Sequence, residues 1–190
     1  MVSRLLALLL LVVASPLHAA EVAGVKFEDR VKAGSADLVL NGAGLRKRAF
    51  FQVYAMGLYL AEKKSAAADA IGLAGPKRID IRMLRDVDAA TFTEALSDGI
   101  RANHDEAAAK AFEPRVAQLG AIMNEVKEAK KGMAIALELQ PGAGTVVSID
   151  GRPRGQPIAG DDFGRALLRI WLGEKPVQDD LKRALLGQPQ

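Results

Sequence analysis

Cysteine is absent from the 190-residue chain, which excludes disulfides, thiolate nucleophiles, cysteine metal ligands and lipid-bearing thiols. Histidine is almost absent: there are two, His18 and His104, and only His104 lies beyond the first nineteen residues. Zinc sites draw three or four ligands from His, Cys and carboxylates, so no metal site and no cofactor are expected. His104, in "ANHDEA", reads as a helix-end or loop residue. A serine triad would need that one imidazole beside one of few serines, and no G-x-S-x-G occurs. "NGAG" and "PGAG" stop short of G-x-G-x-x-G and of G-K-S/T, so they are read as turns. No catalytic residue is assigned on these grounds.

A strong charge of one sign is also missing. Lys plus Arg is 26 against 23 acids, and setting aside Arg4 in the first segment leaves 25 against 23. The basic clusters "RKR" at 46–48 and "KEAKK" at 127–131 are short and lack interleaved aromatics, so nucleic acid is not expected as a partner. One long apolar run exists, "LLALLLLVVA", between Arg4 and "SPLHAA". It is far below the roughly 20 residues that span a bilayer, and its flanks are those of a signal peptide. Residues 1–19 are therefore expected to be a leader cleaved after Ala19, or one residue later after Ala20. No later segment is long and apolar enough to insert, and the mature chain is expected to be periplasmic. Residues 20–190 suit one domain that can bury a sizeable core without staples.

Strand signals come first: "VAGVKFEDRVK", "ADLVLNG" and "AFFQVYAMGLYLAE", with "NGAG" taken as the turn before the last. After a short Ala-rich helix at 65–73 comes the strand "RIDIRML". A helical block follows, with Asp88 as the cap of a helix carrying Phe92, Leu96 and Ile100 at four-residue spacing, and a longer helix carrying Phe112, Val116, Leu119, Met123 and Val126. "MAIALELQ", "TVVSID" and "GRPRGQPIAG" return to strand, joined at "SIDGRP" by a hairpin turn. Two helices close the chain, one capped by Asp161 and one ending at Gly187. Strands, helices, strands, helices predict an α+β fold, an antiparallel sheet with its helices gathered on one face.

The stretch 50–61 is apolar on both pleat faces, with Phe50, Gln52, Tyr54, Met56, Leu58 and Leu60 on one and Phe51, Val53, Ala55, Gly57, Tyr59 and Ala61 on the other. A strand so composed is covered on both sides. Tyr54 is then either an ordinary buried tyrosine below a solvated basic turn, or a phenol donor that works with Arg46 or Arg48 at one end of an apolar cleft.

"NGAGLRKRAFFQVYAMGLYL" resembles the signature of chalcone isomerase-like proteins, in which a G-x-G-x-R turn precedes a strand ending V-Y-A-x-G-L-Y. "IWLGEKPVQDDLKRALLG" resembles that family's C-terminal helix pair, and the likeness covers about residues 22–188. It implies an open-faced β-sandwich, a large antiparallel sheet packed against a layer of helices with a ligand cleft between them. The family includes enzymes that close a 2′-hydroxychalcone into a flavanone, relatives that bind fatty acids, and bacterial members of mostly unknown role.

Carried over by position, the guiding arginine of the turn maps to Arg46. The hydroxyl residue of the next strand maps to Tyr54, a threonine in the enzymes and a tyrosine in the fatty-acid binders. The enzymes' lysine falls near Met83, close to Arg82 and Arg85, and their catalytic tyrosine falls at Phe92. Their asparagine falls at Gly99, and their small hydroxyl residue in the C-terminal helix falls at Ile170. Ring closure needs positioned donors, each worth about 10²- to 10³-fold in rate, and most are replaced here. The resemblance thus implies a non-catalytic protein that takes a small amphipathic ligand such as a fatty acid. Arg46, Tyr54 and Arg48 are the head-group candidates, and Met83, Phe92, Gly99 and Ile170 line the cleft. The alternatives are an isomerase or intramolecular lyase acting on an unknown enone, and a structural or partner-binding module.

Overall fold

The computed structural model describes residues 20–188, so the expected leader at 1–19 lies outside the described residues. Ala23 and Gly24, both at positive φ, turn the chain between β1 (Ala20–Val22) and β2 (Val25–Phe27). The strands β3 (Arg30–Ala33), β4 (Ala36–Arg48) and β5 (Phe51–Leu60) follow, then α1 (Ala67–Gly72) and β6 (Lys77–Met83). The helical block is α2 (Ala89–Ala102) and α3 (Glu106–Asn124), bracketed by the short paired strands β7 (Val87–Asp88) and β8 (Glu128–Ala129). The strands β9 (Ala134–Gln140), β10 (Gly144–Ile149) and β11 (Arg152–Ile158) precede α4 (Asp161–Leu172) and α5 (Asp179–Leu185). Seven strands form one sheet in the order β11-β10-β9-β6-β5-β4-β3, and every neighbouring pair is antiparallel. The fold is α+β, as expected from the order of elements.

Alternation assigns the faces. Met56, Leu58 and Leu60 of β5 join Ile79, Ile81 and Met83 of β6 and Ile135 and Leu137 of β9 on one side. There they meet Leu96, Ile100, Leu119, Phe163, Leu167 and Trp171 of the helices in the main core. Each such side chain, taken fully out of water, contributes about 1.5–3 kcal/mol. Ala55 and Tyr59 point the other way and form a smaller core with Phe27, Ala33, Leu38 and Leu40. β5 is apolar on both faces because helices cover one and the β1–β2 hairpin covers part of the other.

The capping expectations divide. Asp88 accepts from the Thr91 amide at 2.8 Å and caps α2, as its sequence context predicts. Gly160, not Asp161, occupies the cap position of α4. Asp161 instead accepts from the Gly142 amide at 2.9 Å and ties the β9–β10 turn to the helix, while Asp162 pairs with Arg115 at 2.7 Å. The "SIDGRP" hairpin forms as expected, with Asp150 and Gly151 both at positive φ.

"NGAG" is not a turn. β4 runs straight through it with a bulge at Asn41, and the chain reverses later, at Ala49 (φ 51°) and Phe50. The glycines have a different purpose, which is to let α5 lie against the strand. A Cβ on Gly42 would stand 2.1 Å from the Ala184 carbonyl oxygen, and one on Gly44 would stand 2.7 Å from the Ala184 Cβ. Asn41, only 4% exposed, locks this contact. Its Nδ2 donates to the Leu185 and Lys64 carbonyls at 2.7 and 2.9 Å, and its Oδ1 accepts from the Lys64 amide. Glycine inside a strand marks close approach of another backbone as well as turns.

Gly42→Ala is therefore expected to destabilise the fold by about 3 kcal/mol, since overpacking here pushes on backbone rather than on a movable side chain. Gly72→Ala, at the end of α1 with nothing within 4 Å of the added carbon, should be neutral or slightly stabilising. Urea unfolding midpoints separate the two, and equal shifts would contradict the close-approach explanation.

Candidate functional site

The β4–β5 ladder sets Arg46 directly opposite Tyr54, and the β5–β6 ladder sets Tyr54 opposite Met83. Cross-strand partners share a face, so Arg46, Tyr54 and Met83 form a row on the side that carries the helices. Arg48 pairs with Phe51 at the exposed end of the hairpin. A second β4–β5 irregularity, after Arg46, separates the two arginines.

Two residues that the sequence did not single out complete the geometry. Trp171 of α4, 1% exposed, donates its indole N–H to the Tyr54 hydroxyl at 2.9 Å. Gln178, just before α5, donates its amide to the Leu45 carbonyl at 3.1 Å and accepts from the Lys47 amide at 2.8 Å. It thus substitutes for a neighbouring strand along the outer edge of β4. The same Gln178 oxygen lies 3.4 Å from Arg46 Nη1, which also donates to the Lys47 carbonyl. The only signal that pointed toward these residues was the second quoted stretch, which holds the chain's single tryptophan.

Burial pushes the Tyr54 phenol up from its ordinary value, and the Trp171 hydrogen bond and the Arg46 charge oppose this less strongly. Tyr54 stays a neutral phenol at physiological pH. Its oxygen already accepts from Trp171, so its own proton remains to be donated. Arg46 and Tyr54 together offer a fixed cation and a neutral donor, a combination suited to a carboxylate.

The four expected lining positions are brought together, but as packed core. Met83, Phe92 and Ile170 are 1%, 7% and 1% exposed. A Cβ on Gly99 would stand 2.7 Å from Ile170 Cγ2, so α2 and α4 touch there directly. His104 is a helix-end residue, with Nδ1 2.9 Å from the Ile100 carbonyl oxygen. Among the described residues, no group of three or more His, Cys, Asp or Glu is placed to hold a metal ion.

Two cavities lie elsewhere. One of about 230 Å³ is on the face opposite the helices, beside Tyr59, Arg78, Asp80 and Arg82. Arg78 there pairs with Asp80 at 2.7 Å and with Glu138 at 2.6 Å, and burial still holds the Asp80 carboxyl above its ordinary value. The other, about 280 Å³, lies between the α1–β6 loop, the β9–β10 turn and the first turns of α4. Burial chiefly, and the Arg165 charge next, lower the affinity of its Lys77 amine for a proton. That amine donates to the Leu73 carbonyl. Neither cavity includes Arg46 or Tyr54.

A family model described as chalcone isomerase-like matches residues 19–187. Among solved structures, the chain is similar to a fatty-acid binding protein of Arabidopsis thaliana, with a TM-score of 0.67 and 16% identity over 86% of this chain and 92% of that one. At that identity the likeness shows the fold alone. No curated protein matches the chain in sequence.

Tyr54 and Tyr59 are the chain's two tyrosines, and burial raises both phenols. Unfolded phenols lose their protons near pH 10, whereas the folded ones keep them. The resulting stability is complete below that pH and is lost as pH rises above it. An alkaline spectrophotometric titration is expected to show no phenolate until the protein unfolds. A separate step in the native state near pH 10 would contradict the raised phenols of Tyr54 and Tyr59.

Proposed function

Because the chain belongs to the chalcone isomerase-like family, we propose that it binds a fatty acid or similar amphipathic carboxylate without transforming it. The carboxylate is held by Arg46 and Tyr54. The observation that carries this reading is the register that puts these two side chains opposite each other on the helix-bearing face. The guanidinium fork matches two carboxylate oxygens, and Tyr54, fixed through Trp171, supplies a third donor. The solved relative named as a fatty-acid binding protein shares the fold, which supports the ligand class.

Magnitudes divide the labour. About ten buried methylenes at roughly 0.8 kcal/mol each give on the order of 8 kcal/mol, against about 1.5–3 kcal/mol for a charge-assisted hydrogen bond. The tail supplies most of the affinity and Arg46 most of the orientation. The tail runs from Tyr54 into the layer between sheet and helices, where Met56, Met83 and Met123 are the side chains best able to re-pack around a guest. Catalysis is disfavoured because Phe92, Gly99 and Ile170 offer no side-chain donor to developing charge. The direct contact of Gly99 with Ile170 favours a second reading, a module whose interior is filled by its own side chains.

Calorimetric titration with dodecanoate distinguishes these readings. Saturable binding is expected, with Arg46→Ala weakening it about ten- to hundredfold and Arg46→Lys falling between, since it keeps the charge and loses the fork. An unchanged dissociation constant in Arg46→Ala would remove the head-group role. No uptake of fatty acids of any chain length would leave the filled module.

We also propose that the protein acts after export to the periplasm, residues 1–19 being the leader. N-terminal sequencing of the mature protein should then begin at Ala20, or at Glu21 for cleavage one residue later, and a chain that begins at Met1 would overturn this.

A further inference from the structure

Phe50 is fully exposed and Phe51 is 59% exposed, at the tip of the β4–β5 hairpin. The chain does not leave phenylalanine outside by default: Phe27, Phe92, Phe112 and Phe163 are all 8% exposed or less. The tip is also held in shape. Ala49 adopts a left-handed φ of 51°, a conformation that a residue other than glycine keeps only where its surroundings enforce it. It turns the two rings outward beyond the end of the sheet.

Cations surround them. Lys47 and Arg48 precede the turn, and the Arg85 guanidinium lies over the Phe51 ring at 4.6 Å. Lys130 and Lys131 are on the loop that enters β9, whose Gly132 amide donates to the Met83 carbonyl, so they flank the same end. All five are exposed. The acids at this end are engaged locally: Asp86 accepts from the Lys131 amide at 2.7 Å, and Asp150 accepts from the Ala134 amide at 2.9 Å. The end of the molecule therefore presents one bare aromatic ring, Phe50, and a second, Phe51, partly covered by Arg85, within a surplus of positive charge.

A protruding turn of this size is a poor protein interface, since a specific one buries about 800 Å² on each partner. It is a good membrane probe. Apolar rings that enter the headgroup boundary while Lys and Arg meet anionic lipid are the two components of interfacial binding. We propose that the β4–β5 hairpin tip, Phe50 and Phe51 with Lys47, Arg48 and Arg85, docks on an anionic phospholipid bilayer. Arg46 is only two residues from Arg48, so docking brings the head-group site to the lipid surface. The docking itself does not depend on what that site binds.

Co-sedimentation of the mature chain with vesicles tests it. One set is phosphatidylcholine alone, and the other is phosphatidylcholine and phosphatidylglycerol in equal parts. Binding is expected on the mixed vesicles, stronger than on the neutral ones by about fivefold for each cation engaged and weakened by salt. Phe50→Ser is expected to lose about tenfold, and Arg48→Glu more than the charge-neutral Arg48→Gln. Phe50 touches nothing buried, so the thermal midpoint and dodecanoate titration of Phe50→Ser in solution should match the parent, which separates failure of docking from failure of the ligand reading. Equal binding to both vesicle types, no binding, or a Phe50→Ser variant that binds as the parent does would overturn the proposal. So would a parent that is dimeric in solution and becomes monomeric in Phe50→Ser, because the tip would then be covered by a second copy.

Discussion

The contact of α5 with β4 is the constraint on which the rest of the site depends. At Gly42 the space of a side chain is taken by the Ala184 carbonyl, and at Gly44 by Ala184 and Leu181. Asn41 makes the contact possible, because its bulge shifts the strand's alternation by one residue. Before the bulge, even-numbered residues such as Leu38 and Leu40 belong to the smaller core under the β1–β2 hairpin. Beyond it, Gly42, Gly44 and Arg46 pair with Leu58, Met56 and Tyr54 on the helix side. Without the extra residue Arg46 would face away from Tyr54. The seated helix then places Gln178 along Leu45 and Lys47, which fixes the strand from which Arg46 extends. The same stretch of chain holds α4, and thereby Trp171, over Tyr54.

What could be read in the sequence was whatever depends on near neighbours along the chain. "RIDIRML" was legible as a strand because alternation is a property of near neighbours, and in the fold Arg78, Asp80 and Arg82 separate from Ile79, Ile81 and Met83. Asp88 was legible as a cap because its bond spans three residues. "NGAG" was misread because the same letters serve a turn and a helix-docking surface, and the distinction depends on Ala184, more than a hundred residues away. Asp161 was misread as a cap because its actual partner, Gly142, comes from a turn that only the folded sheet brings near. Trp171 and Gln178 were missed for the same reason, their bonds spanning 117 and more residues. Arg46 and Arg48 have equal parity, so alternation could not tell them apart; their cross-strand partners differ, Tyr54 for Arg46 and the exposed Phe51 for Arg48.

The layer between sheet and helices is almost wholly apolar, and this limits its chemistry. Where an isomerase needs donors aimed at developing charge, this chain has Phe92, Gly99 and Ile170, and Gly99 exists because Ile170 needs the space. Tyr54 and Trp171 form a polar pair at the edge of that layer, where the Tyr54 oxygen satisfies the buried indole N–H, which is the condition for keeping that donor there at all. The charged network of Arg78, Asp80 and Glu138 is on the opposite face. Charge is thus excluded from the helix-bearing side with two exceptions at its opposite ends, the buried Lys77, which donates to the Leu73 carbonyl, and the partly exposed Arg46.

Arg46 gives the molecule a direction. β3 pairs β4 only through Val39, so farther along β4 has a free edge, which would be a template for another strand were it left open. Gln178 closes it with a side-chain amide in place of a peptide, leaving the backbone satisfied and Arg46 partly exposed at its margin. Apolar groups at this end are therefore few and specific: the hairpin tip holds both of the large hydrophobic side chains that the described surface exposes, Phe50 and Phe51. The buried apolar layer, the partly exposed Arg46 at its end and the exposed aromatic tip follow one another along one hairpin. Because Arg46 and the tip belong to one paired β4–β5 hairpin, a surface that received the tip would set the orientation of Arg46 as well.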